Sequence, residues 1–173
     1  DRGLNWELVY QGLNPTQSAA VYLAVDPSNP DVIFAGTLSG IAVSRDGGTN
    51  WERPAGRVSD KTITALAVHP FDSQVVLAGT EGKGAFKSVD GGNTWERVGL
   101  NEKHVDDHAM WINPNDPEHY MIGSDGGIYI TYDDADHYYH VSNLPITQYY
   151  RVTVDNEKPF YNVYGGTQDN NSM

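Results

Sequence analysis

The sequence predicts an all-β fold made of repeated four-stranded antiparallel sheets, and three observations predict it. The first is an apolar run ending in a turn: Ala24-Val25-Asp26-Pro27, Ala67-Val68-His69-Pro70, Trp111-Ile112-Asn113-Pro114 and Thr153-Val154-Asp155-Asn156. The third positions, 26, 69, 113 and 155, lie 43, 44 and 42 residues apart. The second is a small, glycine-centred run, Ala35-Gly36-Thr37, Ala78-Gly79-Thr80, Ile122-Gly123-Ser124 and Gly165-Gly166-Thr167, whose glycines at 36, 79, 123 and 166 step by 43, 44 and 43. The third is Ser44-Arg45-Asp46-Gly47-Gly48-Thr49-Asn50-Trp51, repeated as Ser88-Val89-Asp90-Gly91-Gly92-Asn93-Thr94-Trp95. Its tail also opens the chain as Asp1, Gly3 and Trp6, and a worn copy follows at Asp133, Ala135 and Tyr138. Anchors that keep one register mark an internal repeat.

Each repeat divides into short strands. Residues 1–10 read as the last strand of a preceding unit, and 16–56, 60–100 and 104–143 as complete units. Residues 147–173 read as the first half of a further one. In the repeat 104–143, strands are expected over 108–112, 120–123, 128–132 and 138–141, with a turn from Asn113 to Glu118. Tyr, Val, Ile and Trp favour a pleated surface, while Pro, Gly, Asn and Asp supply the turns. Helical periodicity is absent. Four short antiparallel strands in a period of roughly 40–50 residues form a β-propeller blade.

Composition narrows the function. The 173 residues carry 23 acidic and 11 basic side chains, a formal charge of −12. Phosphate attraction needs clustered Lys and Arg, so no nucleic-acid partner is expected. No apolar run approaches the roughly 20 residues of a membrane span. Cysteine is absent, which excludes disulfides, thiolate metal sites and a cysteine nucleophile.

Residues 44–51 and 88–95 resemble the Asp-box, Ser-x-Asp-x-Gly-x-Thr-Trp, with Asn for Thr at position 50. Asp-boxes occur in sialidases, sortilin-like receptors, xyloglucan-cleaving endoglucanases and photosystem assembly factors, all propellers. Residues 104–171 are similar to a narrower group, bacterial sortilin-like proteins described as BNR-repeat glycosyl hydrolases. Such rings usually have six or more blades, so the resemblance implies one segment of a larger propeller. A closed four-bladed ring is the alternative. A partial ring exposes sheet edges and apolar faces, so a partner chain, a dimer or further blades are expected. Relatives of this type are mostly exported, which implies a secreted or periplasmic setting.

Blade geometry sorts the loops. Turns between first and second and between third and fourth strands share one end. Loops between second and third strands, and the links between blades, share the other. The second rim therefore collects Leu38-Ser39-Gly40, Glu81-Gly82-Lys83-Gly84, Asp125-Gly126-Gly127 and Gln168-Asp169-Asn170. The aspartates of the repeated turn, Asp46 and Asp90, are expected to accept hydrogen bonds from their own turns. Gly48 and Gly92 supply unusual dihedrals, and Trp51 and Trp95 pack between sheets. These residues are structural.

On the second rim His104, Asp106, Asp107 and His108 form the densest polar string, joined by Gln168 and Asn170. On a strand, 104, 106 and 108 would share one face. Two imidazoles beside a carboxylate suit a divalent metal, but such strings more often line a channel mouth by hydrogen bonding, so no metal and no cofactor is expected. A metal held by His104 and His108 would need a further ligand such as Asp125.

Gly123-Ser124-Asp125-Gly126-Gly127-Ile128-Tyr129 is similar to the Thr-Asp-x-Gly-Gly-x-Tyr stretch of the xyloglucan-cleaving enzymes, minus one residue after Asp. The resemblance makes Asp125 a candidate catalytic carboxylate, and Asp169 occupies the equivalent loop of the next repeat. Inverting glycosidases need two carboxyls about 6.5–9.5 Å apart. The other reading takes both as turn formers. Tyr149, Tyr150, Tyr161 and Tyr164 offer rings for sugar stacking or for packing between sheets. The basic residues Arg57, Lys61, Lys83 and Lys103 are scattered, with no arginine triad for a sialic acid.

Three functions are open: a non-catalytic module binding a protein, peptide or glycan through its rim; a xyloglucanase-like glycoside hydrolase using Asp125 and Asp169; and a metal-supported site at His104 and His108. Binding ranks first, because a partial ring hardly completes a cleft for an extended glycan.

Overall fold

The computed structural model describes residues 4–99, 103–143, 149–155, 158 and 162–167. It consists of two units, Asp1–Ser142 and Asn143–Met173. The first begins with a single helical turn, α1 (Pro15–Ser18), capped by the Asn14 side chain, which accepts from Gln17 N at 2.9 Å. Proline at the first helical position has no N–H to leave unpaired there.

Three antiparallel sheets follow, each in simple up-and-down order. The first blade holds β1 (Ala20–Val25), β2 (Ile33–Thr37) and β3 (Gly40–Ser44). Its fourth strand is reduced to one bridge, Val43 with Glu52. The second blade is β4 (Ile63–His69), β5 (Asp72–Thr80), β6 (Gly84–Ser88) and β7 (Glu96–Val98). The third is β8 (Asp107–Asn113), β9 (Asp116–Ser124), β10 (Gly127–Thr131) and β11 (Tyr139–His140). Among the described residues, the second unit holds an antiparallel pair, β12 (Tyr149–Val154) with β13 (Val163–Thr167).

The core lies between blades. Phe34, Ile41 and Val43 of the first meet Leu66, Val76, Ala78, Phe86 and Trp95 of the second. Val75, Leu77 and Ala85 of the second meet Ile112, Tyr120 and Ile122 of the third. The second sheet is thus covered on both faces, which is why β5 reads as a continuous apolar run rather than an alternating one. The innermost strands β1, β4 and β8 lie side by side. The glycine-centred anchor explains this approach: a Cβ on Gly36 would come within 2.6 Å of the Ile63 side chain, and one on Gly79 within 2.9 Å of Asp107 Cβ.

The Ser-x-Asp turns close each blade at one end. Asp46 Oδ1 accepts from Asn50 N at 2.7 Å and Ser44 Oγ at 2.9 Å, while Ser44 Oγ accepts from Gly48 N at 2.8 Å. Asp90 repeats the pattern with Thr94 N at 2.8 Å and Ser88 Oγ at 2.8 Å. Trp51 and Trp95 donate their indole N–H to Gly48 O and Gly92 O at 2.9 and 3.0 Å. Each turn also donates to the neighbouring strand or hairpin of its own blade: Gly47 N to Asp31 O, Gly91 N to Gln74 O and Asp134 N to Glu118 O.

Two expectations are corrected. The described part of 1–10 carries no strand; Tyr10 packs its ring on Trp51 at 5.4 Å and accepts from Arg53 Nη1 at 2.9 Å. The turn expected from Asn113 to Glu118 is a tight hairpin, with Asn113 opposite Asp116. Pro117 is tolerated within β9 because pairing with β10 begins only at Tyr120.

Candidate functional site

At the end opposite the aspartate turns, three loops are built alike. Thr37 Oγ1, Thr80 Oγ1 and Ser124 Oγ donate to the carbonyls of Gly40, Gly84 and Gly127 at 2.8, 2.6 and 3.4 Å. Each loop is tied to the link entering its own blade: Leu38 N to Ala19 O, Glu81 N to Thr62 O and Asp125 N to Asp106 O. The first two are also tied to the link leaving it: Gly40 N donates to Lys61 O and Gly84 N to Val105 O.

A third device is not apparent from any single motif. The basic residue two positions after each box aromatic (Arg53, Arg97 and His140) lies against the last glycine of its loop. A Cβ on Gly40, Gly84 or Gly127 would sit 3.0, 3.3 or 3.0 Å from a nitrogen of these side chains. Arg53 donates to Ser39 O, and His140 Nε2 meets Gly126 O at 2.9 Å while stacking on Tyr129. The cations that look scattered in sequence gather here, since Arg53, Arg57, Lys61, Lys83, Arg97 and Lys103 lie on the loops, links and strand ends of this rim.

His108 Nε2 lies 2.9 Å from Asp125 Oδ1, with the side chains 54% and 38% exposed. His104 and Asp106 do not share a strand face with His108, because β8 begins only at Asp107. His104 Nδ1 accepts from Asp106 N at 3.2 Å, and Asp106 Oδ1 accepts from Gly82 N at 2.6 Å. Asp106 therefore cross-links the second and third loops.

Asp107 departs most from expectation. Its side chain is 0% exposed and that of Lys103 1%, and Lys103 Nζ reaches both carboxylate oxygens at 2.5 and 2.6 Å. Nζ also donates to His104 O at 2.9 Å. Burial pushes the Asp107 carboxyl up and the Lys103 ammonium down, while their mutual attraction opposes both shifts. Asp107 is thus no surface ligand. It occupies the position of Ile63 in the preceding blade, both pairing with the hydroxyl residue that ends the second strand, Thr80 or Ser124. The signal was present in the sequence, as a carboxylate at a position that is apolar one repeat earlier. Lys103 was missed as its partner.

The histidines do not converge on a common point: His108 faces Asp125 and His104 faces Asp106. Among the described residues no three His, Asp or Glu side chains are grouped to hold a metal ion. Asp169, Gln168 and Asn170 lie outside the described residues. Asp125 stands partly in solvent against the His108 imidazole.

Among the described residues no helix is long and apolar enough to cross a membrane. Solved structures share the fold. The GH74 enzyme of Niastella koreensis is 19% identical over 89% of this chain and 27% of its own, with a TM-score of 0.67. The GH74 xyloglucanase of Xanthomonas campestris is 17% identical over 91% and 28%, with a TM-score of 0.64. YCF48 bound to D1 peptide is 18% identical over 89% and 52%, with a TM-score of 0.60. The chain thus spans about a quarter of the length of these glycoside hydrolases, and likeness at such identity concerns fold alone. No curated protein sequence matches. The family model Sortilin-Vps10, described as sortilin, neurotensin receptor 3, matches residues 39–139, the span of the rim and of the second and third blades. That match takes in more than half of the 173 residues, and the chain belongs to the Sortilin-Vps10 family.

Proposed function

We propose that the chain is a non-catalytic binding module that takes a protein or peptide partner on the rim of loops 38–40, 81–84 and 125–127. The observation that carries this reading is the rim itself. Its loops are held by repeated hydrogen bonds, and its polar groups are arranged for contact rather than for proton transfer. His108 and Asp125 are exposed and paired at 2.9 Å, and Asp106 is spent on the backbone of the next loop. Rigid loops displaying exposed polar groups lower the ordering cost of binding. YCF48, a fold neighbour, has been solved with a peptide bound, which favours a peptide over a glycan. An exported location belongs to the same reading.

The test is a panel of random-sequence peptides displayed on phage, selected on the whole chain. Selected peptides are expected to lose binding to His104→Ala and Asp125→Asn proteins and to keep it to Asp116→Asn, on the opposite rim. Reducing sugar released from xyloglucan by the wild type and not by Asp125→Asn would overturn the reading in favour of a glycoside hydrolase. Zinc bound stoichiometrically by the wild type and lost in His108→Ala would overturn it in favour of a metal centre.

A further inference from the structure

Each loop of the rim has a basic side chain against its last glycine, and one of the three differs from the others. Arg53 reaches Ser39 O and Tyr10 OH, and His140 reaches Gly126 O. Arg97 occupies the same position on β7 and lies against Gly84, 3.3 Å from Nη2 to the site of a Cβ, yet it has no hydrogen-bond partner and no ion pair among the described residues. This loop also differs in length: Thr80 to Gly84 holds one residue more than Thr37 to Gly40 or Ser124 to Gly127.

Arg97 Nε is buried without an acceptor. A guanidinium carries five N–H donors and stays charged, and buried donors without acceptors are uncommon in native proteins. Three carboxylates near it in sequence or on the facing link are committed elsewhere: Glu96 to Arg57 at 3.4 Å, Asp106 to Gly82 N at 2.6 Å and Asp107 to Lys103 at 2.5 Å. Lys83 stands exposed on the same loop. The chain is acidic overall, with net charge −12; this rim holds Arg53, Arg57, Lys61, Lys83 and Lys103 alongside Arg97, together with the carboxylates Asp60, Glu81, Asp106, Asp107 and Asp125, of which Asp60 and Asp107 pair with Lys61 and Lys103. The opposite rim carries Asp31, Asp46, Asp90, Asp116, Asp133 and Asp136.

We infer that Arg97 is an oxyanion anchor of the binding rim, taking a carboxylate or phosphate side-chain group of a bound peptide. The inference rests on the binding reading and names the chemistry of its partner. A planar, forked donor suits a two-point contact with either group. An anion docked there pairs with the Nη groups of the half-buried side chain, beside the exposed Lys83 of the same loop. The acidic opposite rim repels the same peptide, so binding is confined to one face.

The test uses the whole chain labelled with nitrogen-15. The arginine Nε–H signal missing from Arg97→Lys protein is assigned to Arg97. Three acetylated, amidated tripeptides are titrated at about physiological salt: triglutamate, triphosphoserine and triglutamine. Expected is a saturable shift of the Arg97 signal with triglutamate, triphosphoserine or both, which names the group, and none with triglutamine. Arg97→Gln should weaken binding at least tenfold and Arg97→Lys by less. The melting temperature of Arg97→Gln should stay at that of the wild type, because no internal bond is lost. Shifts from triglutamine equal to those from the anions, no saturation with either anion, or undiminished binding by Arg97→Gln would each overturn the inference. Phage-selected peptides that need His104 and Asp125 but ignore Arg97→Gln would sink this inference and leave the binding module standing.

Discussion

The second and third blades close the same turn with different residues. In the second, Gly91 and Gly92 take φ of 66° and 86°; in the third, Asp134 and Ala135 hold 57° and 73°. A residue with a Cβ in that region costs roughly 1–2 kcal/mol. The worn turn nevertheless keeps its hydrogen bonds. Thr131 Oγ1 accepts from Ala135 N at 2.8 Å, as Ser88 Oγ does from Gly92 N, and Asp133 Oδ1 accepts from His137 N at 3.0 Å. The hydroxyl and the aspartate therefore hold the turn, and the glycines answer to what packs above them. A Cβ on Gly92 would meet the Phe34 ring at 2.7 Å. One repeat later the position of Phe34 is Leu77, and Ala135 fits against that cluster. Lys87 adds a tie across the interface by pairing with Asp134. The box aromatic changes with its surroundings too: Tyr138 replaces tryptophan, and its ring lies where a Cβ on Gly99 would be, 2.0 Å away.

The largest test of this contrast lies at the opposite end, where Ile63 of the second blade becomes Asp107 of the third. Lys103→Met leaves a buried carboxylate unpaired and should cost about 3–5 kcal/mol in urea unfolding. The double variant Lys103→Met, Asp107→Ile makes the third blade like the second and should return most of that stability. Next comes Gly92→Ala, which combines the backbone penalty with a clash and should cost about 3 kcal/mol. Adding Phe34→Leu imitates the third blade, and the pair should be less harmful than the sum of the two changes. A strictly additive result would show that Phe34 is not the reason for glycine at 92.

A smaller gain is expected from Ala135→Gly, which relieves the positive φ and should raise stability by about 1 kcal/mol, read as a higher melting temperature. The smallest effect concerns pH. In Asp46 and Asp133 the backbone N–H of Asn50 or His137, and in Asp90 the Thr94 hydroxyl, do most to hold the carboxyl below its usual range. Their stabilisation is present above the ordinary carboxylate value of about 3.9 and is lost as pH falls through the lower folded-state value. Acid unfolding should set in below roughly pH 4. Asp90→Asn should flatten that part of the curve more than Asp125→Asn, which removes no turn bond.

Much of this was legible in the residues. The aspartate side-chain bonds of these turns are local, each donor within four residues of its acceptor, so Asp46, Asp90 and Asp133 betray them by spacing alone. The loops of the rim were legible as Gly-rich breaks. The site was less so. Asp107 and Lys103 read as surface charge because their burial depends on Gly79, on a strand of the preceding blade. The Arg53, Arg97 and His140 positions are two arginines and a histidine joined by a register rather than by a motif.

The repeat, the sheet order within each blade and the rim to which each loop belongs follow from the sequence by itself. They depend on contacts within one period of the chain, where spacing and side-chain type decide the outcome. Which polar residues stay in water, and which find partners, was decided only by the tertiary structure. Burial and pairing there are set by side chains brought together from more than one strand, blade or loop: Ile63 over Gly36, Asp106 on Gly82, and Arg97 against Gly84.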